Sequence, residues 1–200
     1  MAYFTLITIL ASLLVVGEPH GYMIDPPQRS SMWRVYQGFT PNYNDMELFC
    51  GGREKQWNEL GGKCGTCGDP YDAPVRENEA GGIYATGAIG KRYKRGDIIK
   101  VKIVLTAYHK GYFQFKICPH NNPTRRVSQA GLDRNRLTLA GTNQYFFYPT
   151  KSGVYYIDLQ LPRNMDCTQC VLQWHYITGN SPGFPPEMFI NCADIAISPP

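Results

Sequence analysis

Four histidines are the residues of this chain best suited to metal chemistry: His20, His109, His120 and His175. His20 sits in "VVGEPHGYMIDPP", directly after an apolar leader. If processing exposes its amine, one residue offers a metal two nitrogens, the α-amine and the ring. His109 lies in "LTAYHKGYF", at the end of an alternating segment, where a side chain faces loops rather than core. The amine and the two rings make a T-shaped set of three neutral nitrogens. Such a set with open positions suits copper, which tops the affinity order of the divalent first-row metals. Imidazole also accommodates Cu(I), so the site could cycle between oxidation states. The amine titrates near pH 8, low enough for a metal to compete for it at physiological pH. His120, in "CPHNN", and His175, in "QWHY", are expected to take no part.

The leader decides whether His20 can act this way. Residues 1–16, "MAYFTLITILASLLVV", carry no charged side chain. The run is shorter than the roughly 20 residues a membrane span needs and fits the apolar region of a signal peptide better than an anchor. Residues 1–19 are therefore expected to be removed. Proline directly before the cut is unfavourable for signal peptidase, whereas cleavage after Gly17 leaves "EPHGY". An X-Pro dipeptidyl peptidase would then remove Glu18-Pro19 and expose His20, a maturation in two steps. No later stretch is apolar enough to span a bilayer, so the mature protein is expected to be secreted, soluble and monomeric.

Residues 20–200 suit one domain. The net charge of +4 is spread along the chain. No basic stripe of the kind that nucleic-acid binding requires is visible. Seven cysteines include two Cys-x-x-Cys spacings, Cys64/Cys67 and Cys167/Cys170. These could form a zinc ribbon, but a secreted chain favours disulfides, with an odd thiol left over and the connectivity open.

The elements that would carry the histidines are strands. In "DIIKVKIVL", Ile99, Val101, Ile103 and Leu105 share one face. "YFQFKIC" does the same with Phe113, Phe115 and Ile117, and "VYYIDLQL" with Tyr155, Ile157, Leu159 and Leu161. "CVLQWHYIT" and "MFINCADIAI" complete a series of period-two segments, which predicts an antiparallel β-sandwich. Between Pro26 and Tyr93 the alternation fails. This Gly-, Pro-, Asn-, Tyr- and Cys-rich segment is expected to be a functional loop region with short helices near Ser30–Tyr36 and Asn44–Phe49.

The combination of "HGY", "TAYH" and "MFINCADIAI" resembles lytic polysaccharide monooxygenases. "FCGG", "GGKCGTCGDP", "CVLQWHYITGN" and "NCADIAI" narrow the likeness to the animal-type branch, auxiliary activity family fifteen. The resemblance runs along nearly the whole mature chain. It implies an immunoglobulin/fibronectin-III-like sandwich with a long, partly helical loop region stapled by disulfides. It also implies one copper ion held by His20 and His109, with an external electron donor and O2 or H2O2 as co-substrate. Phe189 falls where the family places its axial aromatic and would block that position. Ala107 would crowd the opposite approach, and Gln173 and Trp174 lie on the strand that supports the site in relatives. Tyr43 is the candidate to stack on a sugar ring. The implied partner is a crystalline polysaccharide surface, chitin before cellulose, with a non-catalytic chitin-binding module as the alternative reading. One departure is the stretch after "TGN", where only "SPGFPPE" precedes the last strand and relatives carry a longer loop with extra cysteines.

Overall fold

The computed structural model describes residues 20–200. The expected leader and its removal lie outside the described residues. Two sheets face each other. The first is antiparallel and runs β1 (Gly21–Asp25), β3 (Ile98–Leu105), β6 (Gly153–Gln160). The second runs β2 (Lys91–Lys94), β8 (Met188–Ser198), β7 (Cys167–Ile177), β4 (Tyr112–Pro119), β5 (Phe146–Phe147). Hairpin logic anticipates the antiparallel β4–β7–β8 ladder but not β2, which pairs with β8 in parallel, Lys91 opposite Ile195.

The alternating residues point where their spacing predicts. Ile99, Val101, Ile103 and Leu105 meet Phe113, Phe115, Ile117, Ile157, Leu159 and Leu161 in one apolar core. Trp174, Tyr176 and Phe189 from β7 and β8 enter the same core. Burying each such side chain contributes about 1.5–3 kcal/mol, so this face holds the sheets together. It is a β-sandwich of the immunoglobulin-like kind.

The long segment before β2 is largely irregular. A 3-10 turn at Arg29–Arg34 stands close to the helix expected at Ser30–Tyr36. The second expected helix, Asn44–Phe49, does not form. Its backbone is engaged in tertiary bonds instead: Met46 O accepts from Gly21 N at 3.1 Å, and Leu48 O accepts from Ile190 N at 2.9 Å. Asp45, fully buried, pins the segment. Its carboxylate accepts from Ser31 Oγ at 2.6 Å and from Arg34 Nε at 2.6 Å. A π-helical turn, Lys55–Glu59, follows where no helix was anticipated.

One of three disulfides, that to β8, staples this layer to the sandwich. Cys50 pairs with Cys64, Cys67 with Cys192 on β8, and Cys167 with Cys170. Only one of the two Cys-x-x-Cys spacings is thus closed on itself. The odd thiol is Cys118, raised in pKa chiefly by its burial.

Candidate active site

β1 begins at Gly21, so His20 stands at the mouth of the sandwich, and the next strand fixes it there. Its carbonyl accepts from Thr106 N at 2.8 Å, Thr106 Oγ1 at 2.8 Å and Ala107 N at 3.2 Å. Thr106 and Ala107 open the turn that carries His109 into β4. A Cβ on Gly21 would lie 3.0 Å from Trp174 Cη2 and 3.3 Å from Val104 O, so the glycine of "HGY" lets the chain press onto the core at this point. Trp174 is therefore both a core residue and the floor beneath Gly21.

The turn that presents His109 is equally constrained. Lys110 and Gly111 both take positive φ, 55° and 74°. A Cβ at Gly111 would sit 2.0 Å from Ile177 O, which only glycine avoids. Tyr176 Oη accepts from His109 N at 2.9 Å and donates to Lys110 O at 2.7 Å. Burial keeps this phenol protonated by raising its pKa, so it can donate throughout the physiological range. Gly179 N donates to His109 O at 2.8 Å.

Each ring has a neighbour at one nitrogen. His20 Nε2 lies 3.2 Å from Glu47 Oε1, and His109 Nδ1 lies 2.6 Å from the side-chain amide of Asn180. A metal-binding imidazole characteristically has its second nitrogen held by an outer partner that sets ring orientation and tautomer. The atom at 2.6 Å is the amide nitrogen Nδ2; a flip of the amide brings Oδ1 to the ring instead, so that Nδ1–H donates and Nε2 is left for a metal. In the same way Glu47 selects Nδ1 of His20. The residues present therefore fit a two-imidazole copper site. Sequence periodicity does not mark Glu47 or Asn180, because a lone acid or amide in a loop carries no periodic signal. The "TGN" motif was the available clue for Asn180.

The other expected residues divide. Phe189 is fully buried, stacked on Phe49 with centroids 6.0 Å apart and 6.0 Å from Tyr176, whose hydroxyl holds the His109 turn. Ala107 touches His20 through its backbone. Tyr43 is 74% exposed, edge-on to Trp33 at 5.4 Å, in the loop whose Met46 bonds Gly21. Gln173 is not brought to this end. It points from β7 to the opposite face, where its amide donates to Thr66 O at 2.7 Å and to Gln129 Oε1 at 3.0 Å. Strand alternation puts Gln173 and Trp174 on opposite faces, so both could not flank one site. His120 lies on an exposed loop with Nε2 2.6 Å from Arg125 O, and His175 is turned to the same face as Gln173.

The short loop before β8 closes beside His109. Thr178 N donates to Glu187 O at 3.1 Å, and Trp57 Nε1 donates to Pro186 O at 2.8 Å.

His20 and the turn bearing His109 are thus tied together at one end of the sandwich through Thr106 and Ala107. The family described as lytic polysaccharide mono-oxygenase, cellulose-degrading, matches residues 20–195, and the chain belongs to it. An AA15 lytic polysaccharide monooxygenase from Thermobia domestica, solved in the Cu(I) state, is 42% identical. The alignment covers 89% of this chain and 98% of that one, with a TM-score of 0.84. A monooxygenase of the same class from Kitasatospora papulosa shares the fold at 14% identity and a TM-score of 0.54, over 90% of this chain and 98% of that one. One from Micromonospora aurantiaca does so at 15% and 0.53, over 88% and 99%. Comparison with curated protein sequences finds no match. The protein is a copper-dependent polysaccharide monooxygenase of the animal-type branch.

Proposed function

We propose that the mature enzyme is secreted and oxidises a crystalline polysaccharide, with copper held by the His20 amine, the His20 ring and the His109 ring. The observation that carries this reading is the triple hydrogen bond from Thr106 and Ala107 to the His20 carbonyl, which ties the first residue of β1's approach to the turn bearing His109. Copper bound there supplies the one-electron chemistry that activates O2 or H2O2 to oxidise C1 or C4 of the sugar.

The chain's own residues do the rest. Glu47 orients the His20 ring and Asn180 the His109 ring. Phe189 fills the space under the site with a ring that offers no oxygen donor, and the Ala107 methyl narrows the other approach. Tyr43 presents an aromatic face to the C–H face of a pyranose. The open end of a sandwich, rather than a cleft, suits a crystal surface, which cannot enter a pocket. Chitin ahead of cellulose follows from the animal-type resemblance, while the matched family is described as cellulose-degrading. Both belong in the assay.

Protein secreted from its natural source should start at His20 by intact mass and bind one Cu(II) with a nitrogen-rich axial spin-resonance spectrum. It should release oxidised oligosaccharides from chitin when ascorbate is supplied. His109→Ala should lower copper affinity at least about a hundredfold and abolish that spectrum, and His120→Ala should leave both unchanged. Equal loss in the two variants, or a mature chain starting at Glu18, overturns the brace.

A further inference from the structure

One arginine meets both ends of the proposed site. The stretch that joins them is residues 43–48, which form neither helix nor strand. Tyr43 offers an exposed ring at its start. Further along, Met46 O accepts from Gly21 N at 3.1 Å, Glu47 Oε1 lies 3.2 Å from His20 Nε2, and Leu48 O accepts from Ile190 N at 2.9 Å. Contacts aimed at a sugar and contacts that hold His20 thus share one short turn.

Such a stretch has no ladder of its own, so its shape is set from outside. Asp45, at its centre, is fully buried. Arg34 Nε donates to Asp45 Oδ2 at 2.6 Å and Nη2 donates to Oδ1 at 2.9 Å, a two-point fork. The guanidinium carbon also lies 5.0 Å from the centroid of the Tyr22 ring and 4.5 Å from that of Trp33. Tyr22 follows His20 and Gly21 along the chain, and Trp33 meets Tyr43 edge-on at 5.4 Å. The same planar group is therefore tied to the start of β1, to the ring beside Tyr43, and to the carboxylate between Tyr43 and Glu47.

The chemistry asks for more than a cation. Neutralising Asp45 needs only a positive charge, which lysine would supply. A fork that matches both carboxylate oxygens, on a flat group that stacks against aromatic rings, is a property of guanidinium. Contacts of this kind fix orientation as well as charge. Orientation matters here, because a misplacement of about 1 Å between reacting groups can cost about a hundredfold in rate.

We propose that Arg34 is a positioning residue: through Asp45 it sets residues 43–47, so that the Tyr43 and His20 rings keep a fixed relation. A sugar stacked on Tyr43 is thereby held at constant reach from His20. This role rests on the copper and sugar-stacking reading above, whereas the hold of Arg34 on the segment is independent of it.

Two variants separate positioning from charge balance. Arg34→Lys keeps a cation for Asp45 but loses the fork and the flat face. The double variant Arg34→Met/Asp45→Asn removes both charges, so no carboxylate is left buried and unpaired. In the mature metal-free protein, the Ile190 amide, which donates to Leu48 O, should exchange its hydrogen about tenfold or more faster in both variants, while the β4 amides keep the parent's rates. Copper affinity against a competing chelator should fall about tenfold or more. Adsorption of the metal-free protein to chitin and to cellulose should weaken with it. Tyr43→Ala should weaken adsorption and leave copper affinity unchanged, which separates the two ends. Parent-like Ile190 exchange in both variants overturns the proposal, and so does parent-like copper affinity despite faster exchange. Equal acceleration throughout β4 also overturns it, by making Arg34 an ordinary stability residue. A parent that binds neither copper nor polysaccharide sinks the functional reading instead, and the exchange rates then decide by themselves whether Arg34 holds the segment.

Discussion

At the scale of single residues, the proposed site rests on partners that hold its rings rather than on the rings alone. Asn180 is the clearest case, 2.6 Å from His109 Nδ1. Asn180→Ala should weaken copper about 10- to 100-fold, as loss of such outer partners does, whereas Asn180→Asp should restore tight binding by accepting from the same Nδ1–H. Copper titration against a competing chelator reads both, and an unchanged affinity in the alanine variant would show that Asn180 holds nothing. Phe189 offers a second test. Its ring is fully buried between Phe49 and Tyr176, so a hydroxyl added by Phe189→Tyr must either reach the metal or strain the core. The variant should shift the copper spectrum modestly and lose about 1–3 kcal/mol in urea unfolding. A stability loss with no spectral change would place the ring's edge in the core.

At the scale of elements, β7 does two jobs by alternation. One face sends Trp174 and Tyr176 into the core and under the His109 turn, and the other sends Gln173 and His175 into a polar layer. Burial, reinforced by the Lys116 ammonium and opposed by Asp133, lowers the His175 pKa from 6.5 to about 3. The folded protein thus keeps this ring neutral, while the unfolded chain protonates it near pH 6.5. Between those values the unfolded chain binds more protons, so stability is lost as pH falls from about 6.5 towards 3. The slope due to this one group is at most about 1.4 kcal/mol per pH unit. His175→Gln should flatten the stability–pH curve between about pH 4 and 6 relative to the parent, measured by urea unfolding at a series of pH values. Parallel curves would mean that the ring is protonated in place.

At the scale of the whole molecule, a long irregular segment is held against a regular sandwich, and covalent links do much of the holding. The Cys67–Cys192 bond joins positions 125 residues apart, from the irregular segment to the interior strand β8. Constraining so large a loop in the unfolded chain is worth about 4–5 kcal/mol. The double variant Cys67→Ala/Cys192→Ala should lower Tm by roughly 10–20 °C in calorimetry. Its copper spectrum should stay the same, because Cys192 lies on the face of β8 that turns away from the core. Loss of the spectrum at a temperature where the sandwich is still folded would couple the staple to the metal end.

The sequence by itself determined the strands and their buried faces, because period-two alternation is written locally in residues such as Ile99 to Leu105 and Phe113 to Ile117. It also offered His20 and His109 as candidates, since an imidazole just after an apolar run and another at a strand end are visible as residue types in positions. Tertiary structure alone decided the partners. The pairing of Cys67 with the distant Cys192, the parallel edge made by β2, and the irregular course of Asn44–Phe49 all depend on contacts between segments far apart in the chain. Gln173 shows the limit most plainly. Its neighbour Trp174 lies beneath Gly21, yet strand alternation turns Gln173 the other way, and only the packed layer of Thr66 and Gln129 above it shows what it holds. Asn180 and Glu47 belong to the same class, because a polar side chain in a loop acquires its role from whichever ring the folded chain sets beside it.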